Sequence, residues 1–224
     1  MRPLIVGHRA NTLTKLRLYL QLGVDAVEVD ITGSEVRHVA GIKPATLREA
    51  LLRRIFFPEP RGESLDRIVR EVVERDVSLV LDLKTPEVDP KIFSSLPGDG
   101  SVAISSKYHN ILRKLRPELE GNYLMLASIQ DRPARPARVM ADAMADGLSV
   151  ELSYVDEALL SEMKEVGGLT YVWTVNDAEQ ALALAKIGVD AITTDRPDLV
   201  IPALESGYVR NDTGRKIYRR LTEK

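Results

Sequence analysis

Eight short runs of apolar, largely β-branched residues recur along this 224-residue chain, separated by longer stretches with helical periodicity. The runs fall at about 3–7 (PLIVG), 24–31 (VDAVEVDI), 77–84 (VSLVLDLK), 101–106 (SVAISS), 122–128 (NYLMLAS), 147–152 (GLSVEL), 169–175 (LTYVWTV) and 189–194 (VDAITT). Each has the length of a strand, and each is apolar on both sides, as in a parallel sheet covered by helices. Helical patterns are expected over 11–22, 46–54, 64–75, 108–116, 134–145, 155–166, 177–187 and 196–205. Asp156 and Asn176 stand where helix N-caps belong, and Gly23 and Gly188 follow helices as C-terminal caps do. Eight strands, each followed by helix, in a little over 200 residues fit a (β/α)8 TIM barrel of the α/β class. A doubly wound open sheet is the structural alternative. No linker-like or low-complexity stretch divides the chain, so one domain is drawn over 1–206, followed by a basic C-terminal extension over 207–224.

Composition narrows the function classes. The net charge is −2, with basic residues matched by acidic ones, so no nucleic-acid partner is expected. No apolar run approaches the roughly 20 residues of a transmembrane segment. Met1-Arg2-Pro3 runs directly into LIVGH, too short for the apolar region of a secretory signal, and a cytoplasmic location is expected. The chain has no cysteine, which excludes disulfides, thiolate chemistry and cysteine-based zinc sites. Any metal must be held by oxygen or by the imidazoles of His8, His38 and His109.

In a (β/α)8 barrel the site is built at the C-terminal ends of the strands. His8-Arg9 ends the first strand, Glu28 and Asp30 the second, and Asp82 and Lys84 the third. Trp173 and Asn176 end the seventh, and Asp195 follows the eighth. In extended chain, residues two apart share a face, so Glu28 projects with Asp30 and Asp82 with Lys84. Crowded carboxylates at a strand end are costly without a cation or a partner charge. Singly, each group has a plain reading: a loop pair at His8-Arg9, a rim salt bridge at Glu28/Asp30, a self-satisfied ion pair at Asp82/Lys84. Gathered at one rim they point to a metal and phosphate site. Three carboxylates suit a hard divalent cation, Mg²⁺ or Ca²⁺. Arg9 and Lys84 would balance a bound anion, and His8 suits proton transfer near neutral pH.

These residues resemble a family. GHR, NTL, VEVD, a strand ending in carboxylate-x-Lys, VWTVND and GVDAITTDRPD are similar, in that order, to the glycerophosphodiester phosphodiesterases, over Pro3 to about Leu204. SSKYHNILRKLR is similar to the family's SSF-D-H-x-LL-x-x-LR stretch, which puts His109 at a non-catalytic, helix-start position. The resemblance implies a metal-dependent hydrolase that cleaves small-molecule glycerophosphodiesters to glycerol phosphate and an alcohol, as in glycerol and lipid metabolism. It implies that Glu28, Asp30 and Asp82 are metal ligands, with Asp82 standing where most members have Glu. It makes His8 one of two acid/base histidines, Arg9 and Lys84 phosphate ligands, and Trp173 an apolar wall for the alcohol part; a packing tryptophan is the alternative.

The chain also departs from the family pattern. A His-Asp dipeptide and a capping insertion normally follow the acidic pair; here the region shrinks to ITGSEVRHVAGIKPATLREAL, with His38-Val39 the sole candidate for the second catalytic histidine. SEVRHVAG would have to turn as a tight hairpin to return His38 to the rim; the alternative is a surface histidine. The family's proline-glutamate-asparagine-threonine box is reduced to Ala10-Asn11-Thr12, so an open, shallow pocket is expected. Ile55-Phe56-Phe57 reads most simply as core packing, with a lid edge, a homo-oligomer contact and a membrane-touching surface as alternatives. Two rival functions follow from these departures: cleavage of lysophospholipid or sphingolipid head groups, and a catalytically degenerate barrel that only binds a phosphorylated ligand.

Overall fold

In VDAVEVDI the side chains sort by parity. The computed structural model, which describes residues 2–37 and 62–207, buries Val27, Val29 and Ile31 among residues of the surrounding helices. Ala26 instead joins an inner cluster with Leu4, Val6, Val80, Leu126 and Tyr171. The same division holds later in the chain, where Leu79, Leu81 and Leu83 pack outward and Val80 inward. The outer layer is the larger core, and the inner cluster fills the barrel axis beneath a polar rim.

The strands are β1 (Leu4–Gly7), β2 (Ala26–Gly33), β3 (Glu35–Val36), β4 (Ser78–Val88), β5 (Asp99–Ser106), β6 (Asn122–Ile129), β7 (Gly147–Glu151), β8 (Leu169–Trp173) and β9 (Ala191–Thr194). All but β3 pair in parallel in the order β1-β2-β4-β5-β6-β7-β8-β9, and β1 pairs with both β2 and β9, closing an eight-stranded barrel. The open-sheet alternative is thereby excluded. Around it lie α1 (Leu13–Leu22), α2 (Leu65–Val73), α3 (His109–Glu118), α4 (Pro136–Asp142), α5 (Glu157–Glu165), α6 (Ala178–Ile187) and α7 (Pro197–Gly207). None of the described helices is long and apolar enough to cross a membrane.

Two details differ from the sequence expectation. Strand β4 runs on to Val88 and is followed by a 3-10 helix, Pro90–Ser95, rather than an α-helix. Pro90 and Pro97 leave too few residues between them for a usual α-helix, and the short turn buries Ile92 and Phe93 instead. The cap of α6 is Asp177, whose side chain accepts from Gln180 N, and not Asn176. A hairpin does follow the acidic strand: β3 turns back antiparallel on β2, pairing Ile31 with Val36 and Thr32 with Glu35. The continuation that would carry His38, the helix expected over 46–54, Ile55-Phe56-Phe57 and the extension from 208 onward all lie outside the described residues.

Gly7 is where backbone and ring meet most closely. A Cβ there would lie 2.3 Å from Tyr19 Cδ2, and Tyr19 is buried at the base of the rim with its hydroxyl donating to His8 O at 3.1 Å. Gly7→Ala should therefore overpack this contact and lower stability by about 1–3 kcal/mol. Urea denaturation of the two proteins measures it, and an unchanged midpoint would contradict the packing described.

Candidate active site

Strand β1 delivers His8 as its chain leaves the barrel. The His8 N–H donates to Thr194 O at 2.9 Å, which ties the end of β1 to the end of β9. Asp195, the residue after β9, places Oδ1 3.1 Å from His8 Nδ1, and Lys15 Nζ reaches the same oxygen at 3.3 Å. The bond from His8, helped by Lys15, holds the Asp195 carboxyl far below the usual carboxylate range. An ionised carboxylate only accepts hydrogen bonds, so Nδ1 carries the proton and Nε2 is left to exchange one. Asn176, relieved of the capping role, accepts from Asp195 N at 2.8 Å and from Thr194 Oγ1 at 3.2 Å. Asn176, Asp195 and His8 thus form a chain of fixed contacts across three strand ends.

The next three residues serve the acids of β2. Arg9 has a left-handed backbone, φ 54°, that turns its N–H onto Glu28 Oε2 at 2.6 Å. Ala10 N donates to Glu28 O at 2.7 Å. Asn11 grips Asp30 twice: its Nδ2 donates to Asp30 Oδ2 at 2.7 Å, and its Oδ1 accepts from Asp30 N at 2.9 Å. Thr12 then caps α1.

Parallel pairing sets Asp30 beside Asp82, and one oxygen from each of Glu28, Asp30 and Asp82 lies within 4.8 Å of the others. Lys84 Nζ sits 2.7 Å from Asp30 Oδ1 and also contacts Asp82 Oδ2. It is therefore engaged with the acids. Burial alone would lower the Lys84 pKa, but Asp82, Glu28 and Asp30 together outweigh it and raise it. Glu28 has the opposite problem. Burial and the Asp30 charge push its carboxyl up to about 8, and its buried Oε1 has no hydrogen-bond partner among the described residues. Three close carboxylates with an unpartnered buried oxygen fit a hard divalent cation, completed by water or substrate oxygen. The donor chemistry does not separate Mg²⁺ from Ca²⁺.

A cavity of about 420 Å³ opens above these groups, lined on one side by His8, Arg9, Glu28 and Asp82 and on the other by Ser128 and Trp173. Every site residue read from the sequence and described in the structure therefore falls at one rim; His38 lies outside the described residues. His109 opens α3 and places Nε2 3.0 Å from Ser128 O, a tie between helix and strand. The sequence reading passed over Asn11, Lys15 and the link of Asp195 to His8. A signal existed for Asp195, a carboxylate directly after the strand that closes on β1.

Residues 68–199, more than half of the chain, match the model of the glycerophosphoryl diester phosphodiesterase family. A glycerophosphodiester phosphodiesterase of Caldanaerobacter subterraneus subsp. tengcongensis is 22% identical over 246 aligned positions, covering 92% of this chain and 100% of the relative. Among solved structures, an Oleispira antarctica phosphodiesterase in complex with the product sn-glycerol-3-phosphate superposes with a TM-score of 0.69 at 19% identity, covering 91% of this chain and 97% of that one. A glycerophosphodiester phosphodiesterase of Thermotoga maritima superposes with a TM-score of 0.69 at 17% identity, covering 90% and 98%. At such identities the structural likeness speaks for the barrel alone.

Proposed function

Because this chain belongs to the glycerophosphoryl diester phosphodiesterase family, we propose that it hydrolyses glycerophosphodiesters to glycerol phosphate and an alcohol, using a divalent cation and histidine acid/base catalysis. The observation that carries this reading is the convergence of the Glu28, Asp30 and Asp82 trio with an Asp195-held His8 on one cavity wall.

Each residue has a task that its surroundings support. Glu28, Asp30 and Asp82 would hold the cation, with Asn11 and the Arg9 N–H fixing two of the carboxylates in orientation. When bound, such a cation polarises a phosphoryl oxygen and lowers the pKa of a coordinated nucleophile. Lys84 keeps Asp30 and Asp82 in place and adds positive charge beside the acid trio. Arg9, whose side chain lines the cavity, would take a phosphate oxygen and stabilise charge that develops there. His8 would move a proton through Nε2, as general base towards the nucleophile or as general acid towards the leaving alkoxide. His38 is proposed for the complementary transfer, on the strength of the family resemblance and its place eight residues beyond Asp30. Trp173 would give the alcohol portion an apolar wall.

The test is release of glycerol phosphate from a panel of diesters by the purified protein, with each metal in turn. Micellar lysophospholipids in the same panel separate the lipid-head-group reading. A protein that binds glycerol phosphate but turns over nothing is the outcome that establishes the degenerate barrel instead. Asp195 gives a finer check as a positioning residue. Asp195→Asn should lower kcat by roughly 10–100-fold with KM nearly unchanged, since general acid/base catalysis contributes about 10²–10⁴-fold and the amide fixes the imidazole less well. Equal losses of kcat and stability would instead show a merely structural role.

A further inference from the structure

The cations around the cavity are not all accounted for. Lys84 is held by Asp30 and Asp82, and Lys15 by Asp195. Arg9 and Lys107 both line the cavity, and neither side chain pairs with a carboxylate among the described residues. A phosphodiester brings a single negative charge. Arg9 stands beside His8 and the acids, where that charge must sit for the chemistry. Lys107 stands elsewhere, directly after β5, on the wall made by β5 to β8.

That wall has its own character. The cavity's carboxylates, Glu28 and Asp82, stand on β2 and β4; the lining from β5 to β8 offers Ser105, Ser128, Gln130 and Ser149 with no acid among them. Lys107 Nζ rests 5.3 Å from the Tyr108 ring centroid, a contact that holds the ammonium without neutralising it. Tyr108 caps α3 with no side-chain hydrogen bond, so the first N–H groups of that helix add partial positive charge nearby. A quaternary ammonium placed here would meet a lysine and no carboxylate in the lining of this wall, with Tyr171 and Trp173 as its aromatic surfaces.

We propose that the preferred substrate carries a second anionic group, a carboxylate or a phosphate, on its alcohol portion, and that Lys107 binds it. The inference rests on the phosphodiesterase reading above and specifies the substrate class of that site. Lys107 acts on specificity, since it binds a part of the substrate remote from the bond that breaks.

The experiment measures kcat/KM for glycerophosphocholine, glycerophosphoserine, glycerophosphoinositol and glycerophosphoinositol 4-phosphate, with the natural protein, Lys107→Met and Lys107→Arg. The natural protein should favour the phosphorylated inositol diester over the neutral one. Lys107→Met should shrink that ratio roughly tenfold, as loss of a hydrogen bond to a charged group does, and through KM. Lys107→Arg should keep it. The serine and choline diesters separate a carboxylate preference from a phosphate one. A ratio that is the same in the natural protein and Lys107→Met, or a natural preference for the choline diester, overturns the proposal while leaving the phosphodiesterase reading intact. If the natural protein cleaves none of the four, that reading fails and the proposal falls with it.

Discussion

Stripping divalent cations from the purified protein should abolish the proposed cleavage of glycerophosphodiesters, and Mg²⁺ or Ca²⁺ should restore it. That is the expected result with the largest effect, because the cation is the one group in the proposed site able to offset three carboxylates and polarise phosphate together. Lewis-acid stabilisation is worth several kcal/mol, and about 4 kcal/mol corresponds to roughly 10³-fold in rate. Asp30→Asn should produce a loss of the same order that added metal does not repair. Asp30 is fully buried and held by Asn11 and Lys84, so the amide disturbs both contacts as well as removing a ligand charge. A chelated protein that keeps its rate refutes the assignment. The pH dependence has a defined sign. Without cation, burial and Asp30 push Glu28 up to about 8, so below that pH the carboxyl keeps a proton that it must release to become a ligand. Cation affinity should therefore weaken as pH falls below about 8 and level off above it. Calorimetry in two buffers of different ionisation enthalpy would count the proton released.

His8→Ala should cost roughly 10²–10⁴-fold in kcat, the range of general acid/base catalysis, and leave cation binding in place. The separation is possible because His8 is tied to β9 through Asp195 and Thr194, while the acids are held by the Arg9 N–H, by Asn11 and by Lys84. If the variant cleaves diesters at the natural rate, His8 is no proton carrier and the Asp195 contact serves the fold alone. His38→Ala belongs in the same assay, since it tells whether a second imidazole shares the work.

Much of this was legible in the chain because strand parity is a local rule. VDAVEVDI declares which side chains face the axis without reference to anything distant, and VSLVLDLK does the same; parallel pairing then had to bring Asp30 beside Asp82. The contacts that escaped notice are those that depend on closure. His8 and Asp195 stand 187 positions apart and meet because β1 pairs with β9. Asn176 looked like a cap because Asn before a helical pattern usually is one, and Asp177 next to it fills that role equally well. Lys84 shows a limit of another kind: proximity in sequence identified Asp82 as its partner, but only the packed geometry brought Asp30 to the same ammonium.

The four-residue strand β1 has a consequence for how the molecule comes into being. Its edge towards β9 is matched by the last of the described strands, so during synthesis this buried segment waits with one side unpaired until β9 emerges. The acid trio needs only β2 and β4 and is present from the first two-fifths of the chain. The His8 imidazole, in contrast, meets its carboxylate partner only once Asp195, 187 positions later, has emerged. A product truncated before β9 can therefore bring its acids together without the Asp195 contact to His8, and on the proposed mechanism it should lack hydrolytic activity.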